Sequence, residues 1–136
     1  MTASKKAAAL LAAFVALSAT EALARDYYDG DWSRSGDNCK KDEQCWIEIR
    51  KPRKANQYTL KFVVADRLDG NKVRCSADAT AEKSSRGNFL RGAFTKTRQM
   101  FDVFAWKGGR IEMHAVGNSP CDPSISINGL YGAAGD

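Results

Sequence analysis

The segment from Lys72 to Glu82 constrains this chain more than any other. Val73, Cys75, Ala77, Ala79 and Ala81 fall on one side, and Lys72, Arg74, Ser76, Asp78, Thr80 and Glu82 fall on the other. A period of two is that of a β-strand with one face buried. A slip of one residue would bury six polar side chains, so the register of this strand is well determined.

The same pattern recurs along the chain, each time followed by a turn signal. A first short strand holds Asp31-Trp32. Cys45 to Arg50 alternates, with Cys45, Ile47 and Ile49 on one face, and Pro52 to Asn56 breaks it. Tyr58, Leu60, Phe62 and Val64 share a face of the third strand, and Asp69-Gly70-Asn71 turns the chain. Phe89 to Lys96 follows a turn at Ser84 to Gly87. Met100 to Trp106 is a strand in which Phe101 and Val103 compete with Phe104 and Trp106 for the inner face. Lys107 to Arg110 makes a tight connection to Ile111–Ala115. After a loop over Gly117 to Ser124, Ile125 to Tyr131 closes the chain, and Gly132 to Asp136 reads as a tail.

Eight strands with short turns and no helix predict an antiparallel meander. A meander exposes two raw edges unless it closes on itself. The expected fold is therefore all-β: an eight-stranded antiparallel up-and-down barrel with two disulfides, preceded by a signal peptide. Small inward residues at Ala77, Ala79 and Ala81 would offset large ones such as Tyr58 and Phe62. An immunoglobulin-like sandwich fits less well, because its tryptophan stands apart from both cysteines whereas Trp46 adjoins Cys45.

The first 24 residues read as the signal peptide. Lys5 and Lys6 precede an apolar run from Ala7 to Ala19, and Ala22-Leu23-Ala24 offers small residues for cleavage. Residues 25–136 then form a single β-barrel domain, periplasmic or secreted, with no membrane span. Its charge is +4, from 19 basic and 15 acidic residues. All four cysteines, Cys39, Cys45, Cys75 and Cys121, lie in this part, which reads as two disulfides in an oxidising compartment. Their spacing lacks the paired knuckles of a four-cysteine zinc site. Two pairings fit: Cys39–Cys121 with Cys45–Cys75, taken first, or Cys39–Cys45 with Cys75–Cys121.

Gly30-Asp31-Trp32 resembles the Gly-x-Trp that opens the first strand of calycin-like barrels, namely lipocalins, avidin-like proteins and some small bacterial inhibitor barrels. The resemblance implies that Trp32 plugs one end of the barrel. In overall plan the chain is similar to periplasmic inhibitors of lysozyme-like hydrolases or of proteases.

Residues suited to catalysis are sparse. His114 is the only histidine and is expected to face solvent beside Glu112. Asp42-Glu43 reads as part of a charged, solvated loop. There is no Gly-x-Ser-x-Gly elbow, phosphate-binding glycine loop or H-E-x-x-H. No catalytic residue, metal or cofactor is expected.

Charge is more informative once the turns are sorted by barrel end. Alternate turns of a meander lie together. One end collects Arg50, Lys51, Arg53, Lys54, Lys83, Arg86, Lys107 and Arg110, with Ser84 and Ser85 between Lys83 and Arg86. Its only acids by this reading are Glu82 and Glu112, at the margins. The other end holds the cysteines and mixed charge. Clustered arginine and lysine attract carboxylates and phosphates. The expected function is a non-catalytic binding or inhibitor module acting through these loops. Its partner would be an envelope enzyme (a peptidoglycan hydrolase or protease) or an anionic envelope polymer. Nucleic acid is not expected, since no aromatic row interleaves the cations. The alternative is a carrier of a small apolar ligand in the barrel interior.

Overall fold

The computed structural model describes residues 26–34, 39–52, 56–117 and 120–134. The expected signal peptide and cleavage site, and the cations Arg53 and Lys54, lie outside them. The strands are β1 (Gly30–Arg34), β2 (Glu43–Arg50), β3 (Gln57–Asp66), β4 (Val73–Lys83), β5 (Phe89–Phe94), β6 (Met100–Trp106), β7 (Arg110–Ala115) and β8 (Gly129–Ala133). Each pairs antiparallel with the next, and β8 returns to β1, so the sheet is a closed barrel. No helix occurs among the described residues.

Alternation sets the inside. On β3 the inward Tyr58, Leu60 and Phe62 stand opposite Ala81, Ala79 and Ala77 of β4. The large residues thus occupy the space that the alanines leave, as the sequence predicts. On β6 the inward residues are Phe101 and Val103, both fully buried, while Trp106 is exposed. Tyr58, Phe62, Ile47, Ile49, Leu90, Ile111 and Tyr131 retain almost no solvent contact. Each such side chain contributes about 1.5–3 kcal/mol through removal of apolar surface from water.

The last strand differs from expectation. Ile125 and Ile127 are buried, yet the ladder begins only at Gly129. The alternation there reflects packing into the barrel mouth, and a side chain replaces the ladder. Asn128 accepts from the Ala115 N–H through Oδ1 (2.6 Å) and donates to the Ala115 carbonyl through Nδ2 (3.3 Å). Gly132 and Ala133, expected in a tail, pair with Ser33 and Trp32 and close the barrel. Strand β5 ends at Phe94, two residues before the predicted Lys96, because the chain turns at 95–97.

The disulfides are Cys39–Cys45 and Cys75–Cys121, with Cα separations of 5.9 and 5.7 Å. This corrects the first-choice pairing. Cys45 and Cys75 both stand opposite Val64, one on each side of β3. Two strand spacings are about 9.6 Å, beyond the roughly 7 Å that a disulfide spans. Cys75–Cys121 instead ties β4 to the loop between β7 and β8. Both bridges fit an oxidising, extracytoplasmic environment.

Closure also requires a close approach between β4 and β5. A Cβ on Gly92 would lie 2.2 Å from the Thr80 carbonyl oxygen and 2.7 Å from the Ala81 Cβ. Neither can retreat without moving the strand pair. Gly92→Ala should therefore lower stability by about 2–4 kcal/mol, read as a fall in the urea midpoint. Replacing both cysteines of Cys75–Cys121 by serine should cost more than replacing Cys39–Cys45. Their sequence separations are 46 and 6 residues. Loop-closure entropy then favours the longer loop by about 2 kcal/mol. Equal losses in denaturant unfolding would contradict the entropic reading.

Candidate functional site

The end of the barrel opposite the disulfides is built from the turns β2–β3, β4–β5 and β6–β7, and the segment 26–29 crosses it. Tyr28 is buried and donates its hydroxyl to the Asn88 carbonyl at 2.8 Å. The Tyr27 hydroxyl sits between the Trp106 and Arg110 carbonyls, at 2.8 and 2.9 Å. Tyr58 donates to Asp26 at 2.5 Å. Burial, and after it the Asp26 carboxylate, push the Tyr58 phenol far above its ordinary range, so it stays a neutral donor. Trp32, the residue given the plugging role by resemblance, is buried in the core with its indole N–H on the Tyr28 carbonyl at 2.9 Å. Its ring lies 6.0 Å from that of Tyr27.

This segment changes the charge of the pole. It brings Asp26 and Asp29, and β1 adds Asp31, none of which is apparent when only the turns are counted. Arg50 pairs with Asp31 at 2.7 Å, and Lys51 lies 3.7 Å from Asp26. Arg50 and Lys51, the described cations of the β2–β3 corner, are thus both paired. Lys83, Arg86, Lys107 and Arg110 form no ion pair among the described residues. The first three are exposed and Arg110 is half-buried.

The β4–β5 turn is the most shaped part of this surface. Ser84 organises it: its N–H donates to the Phe89 carbonyl at 2.9 Å, and its Oγ accepts from the Arg86 N–H at 3.1 Å. Glu82, Lys83, Ser84, Ser85, Arg86 and Arg91 line an open cleft of about 420 Å³. Arg91 is held by Asp102 at 2.9 and 3.2 Å and lies over the Phe89 ring. Beside the Glu82 carboxylate, the cleft therefore offers two exposed cations, the Asp102-held Arg91 guanidinium and a hydroxyl on Ser85 to an anionic group. Lys83 to Arg86, grouped in the sequence, lie in this one turn and line the cleft. It missed Tyr27, Tyr28 and the exposed Trp106. An aromatic pair directly before the first strand was the available signal.

Elsewhere, His114 is exposed, hydrogen-bonded to Glu112 and edge-on to Phe104. Glu43 departs from expectation. It is the first inward residue of β2 and only 6% exposed, with one carboxylate oxygen on Arg74 and the other, Oε2, lacking a partner. Arg74 also bonds Asp42 and Asp66, each at 3.1 Å. No cluster suited to a metal ion occurs among the described residues.

The Arg74 hydrogen bond first of all holds Asp42 low. Backbone N–H groups at Leu68 and Asp69, with Arg74, do the same for Asp66, and Ser124 and Lys40 do so for Asp122. Their folded values lie below the unfolded ones. They therefore stabilise the fold above about pH 4 and cease to as the pH falls through their folded values. Urea midpoints should drop on acidification below pH ~4, and Arg74→Gln should flatten that drop. Compared with protein families, with curated proteins and with solved structures, the chain gives no match in any of the three.

Proposed function

We propose that this chain is a non-catalytic periplasmic binding module that acts through its barrel loops on an envelope hydrolase, in the manner of an inhibitor. The supporting observation is the set of cations left without an ion pair at the β4–β5 and β6–β7 turns, beside a serine-bearing cleft. The barrel is a rigid mount for them. Closure and the N-terminal tyrosines tie the turns to one another, so little ordering is needed on binding. A peptidoglycan hydrolase of lysozyme type carries catalytic carboxylates in a cleft. A projecting turn with Lys83, Ser85 and Arg86 offers those carboxylates charge-assisted hydrogen bonds. The carrier alternative has less support, because the inward positions hold bulky, fully buried side chains such as Tyr58, Phe62 and Tyr131.

The test is inhibition of lysozyme-like hydrolases acting on cell-wall suspensions, alongside binding to purified peptidoglycan. Lys83→Ser with Arg86→Ser should weaken the interaction about tenfold or more, as loss of charged hydrogen bonds implies. Lys107→Ser with Arg110→Ser should weaken it less. Arg50→Ser, whose charge is already met by Asp31, should change it little. Binding to polymer without effect on any hydrolase would make the polymer the partner. Binding to neither, or binding indifferent to all four cations, would overturn the proposal.

A further inference from the structure

The barrel wall is not sealed along its whole length. Strand β4 pairs with β3 from Val73 to Glu82, but with β5 only from Ala79 to Lys83. The last link on the β5 side is the Thr95 N–H donating to the Asp78 carbonyl at 2.9 Å. Beyond it the β5–β6 turn carries the chain away, with Arg98 in the left-handed region at φ 59°. The two strands are pressed together at Gly92 and splay apart past Asp78.

Among the described residues, the splay leaves a strand edge uncovered at the disulfide end. The Asp78 carbonyl points toward β5, and in a strand both main-chain groups of a residue, and of residues two apart, point the same way. The Ser76 N–H and C=O therefore face the seam, as does the Asp78 N–H. None of the three has a hydrogen-bond partner among the described residues. In front of this edge lies a groove of about 300 Å³. Its floor is apolar, made by Ala77, Phe94 and the Cys75–Cys121 disulfide, and its far wall carries Thr95 and Lys96.

We infer that this seam is a strand-addition site for an extended, acid-bearing peptide segment of a partner protein. An exposed edge with free donors and an acceptor is a template for an added strand. The polar complement favours an acidic segment. Lys96 is exposed and forms no ion pair among the described residues, whereas Asp78 stands opposite Lys61 on the outer face. Along the edge itself the groove thus presents two N–H groups and the Lys96 ammonium against one main-chain carbonyl without a partner among the described residues, while the Asp78 side chain belongs to the outer face beside Lys61. A small aliphatic side chain on the added strand would rest on the apolar floor. Barrel closure elsewhere restricts this pairing to a few residues, so it stays local and does not seed wider aggregation. The site lies at the end opposite the cationic turns and does not depend on their function.

The peptide Ac-Thr-Val-Thr-Val-Glu-NH2 serves as probe, with amide hydrogen exchange followed residue by residue by NMR on the full chain. At saturating peptide the exchange of the Ser76 and Asp78 amides should slow about tenfold or more, since these groups pass from water to a ladder. N-methylation of the central threonine should weaken binding about tenfold, because it removes a ladder donor and crowds the edge. Lys96→Glu should weaken it about fivefold. Ser76→Pro, which removes an N–H that faces away from β3, should abolish binding while circular dichroism and melting temperature hold. Unchanged Ser76 exchange at millimolar peptide would overturn the inference. So would equal binding of the N-methylated peptide, or full binding by the Lys96→Glu chain, and neither of these depends on how well the proline variant folds.

Discussion

The structure depends on one short ladder, that between β1 and β8. Trp32, Ser33 and Arg34 pair with Ala133, Gly132 and Tyr131. Without it the eight strands would form an open sheet with two raw edges and an interior open to water. With it, every inward side chain faces another inward side chain. Both ladder partners are short strands, so the closure leans on side-chain help. The Arg34 guanidinium reaches the Ser126 and Asn128 carbonyls, and the Tyr131 hydroxyl donates to the Ile127 carbonyl at 2.7 Å. These contacts hold the approach to β8 where no ladder exists.

The two ends are finished by different means, and the difference shapes what each can do. At one end two disulfides and the buried Ile125 and Ile127 fill the mouth. At the other no covalent link is present among the described residues. There the tyrosines of the N-terminal segment span the mouth through hydrogen bonds to backbone carbonyls of two different turns. Asp26 of this segment meets Lys51, and Asp31 at the start of β1 meets Arg50. Neither acid reaches Lys83, Arg86, Lys107 or Arg110, which form no ion pair among the described residues. Covering this mouth and pairing Lys51 are thus two consequences of where one short segment lies.

Much of the fold was legible in the sequence because alternation is a local signal that burial amplifies. Residues 73–82 carry their register in their own side chains, and the turn at Asp69 forms through the hydrogen bonds that its residue types predict. The signal misleads where burial has period two without a ladder, as at Ile125 and Ile127. It is silent where a strand has apolar residues on both faces, as in β6. The candidate site was legible only in part. Lys83, Ser84, Ser85 and Arg86 are contiguous, so one turn brings them together. Asp26 and Asp31 meet Lys51 and Arg50 through the register of the β1–β2 pairing, which no pattern within either segment announces.

Alternation within the sequence determines an eight-strand meander, the inward faces of β2, β3 and β4, the complement of large residues on β3 by alanines on β4, and the gathering of the cysteines at one end. These follow from periodicity, side-chain volume and the parity of a meander. Tertiary structure alone decided which cysteines bond, because β3 stands between the two that looked adjacent. It also decided which cations keep their charge exposed, and where the wall between β4 and β5 opens. Each of these turns on distances between segments far apart in the chain. Such distances are fixed only when the sheet has closed and every strand has taken its place around the ring.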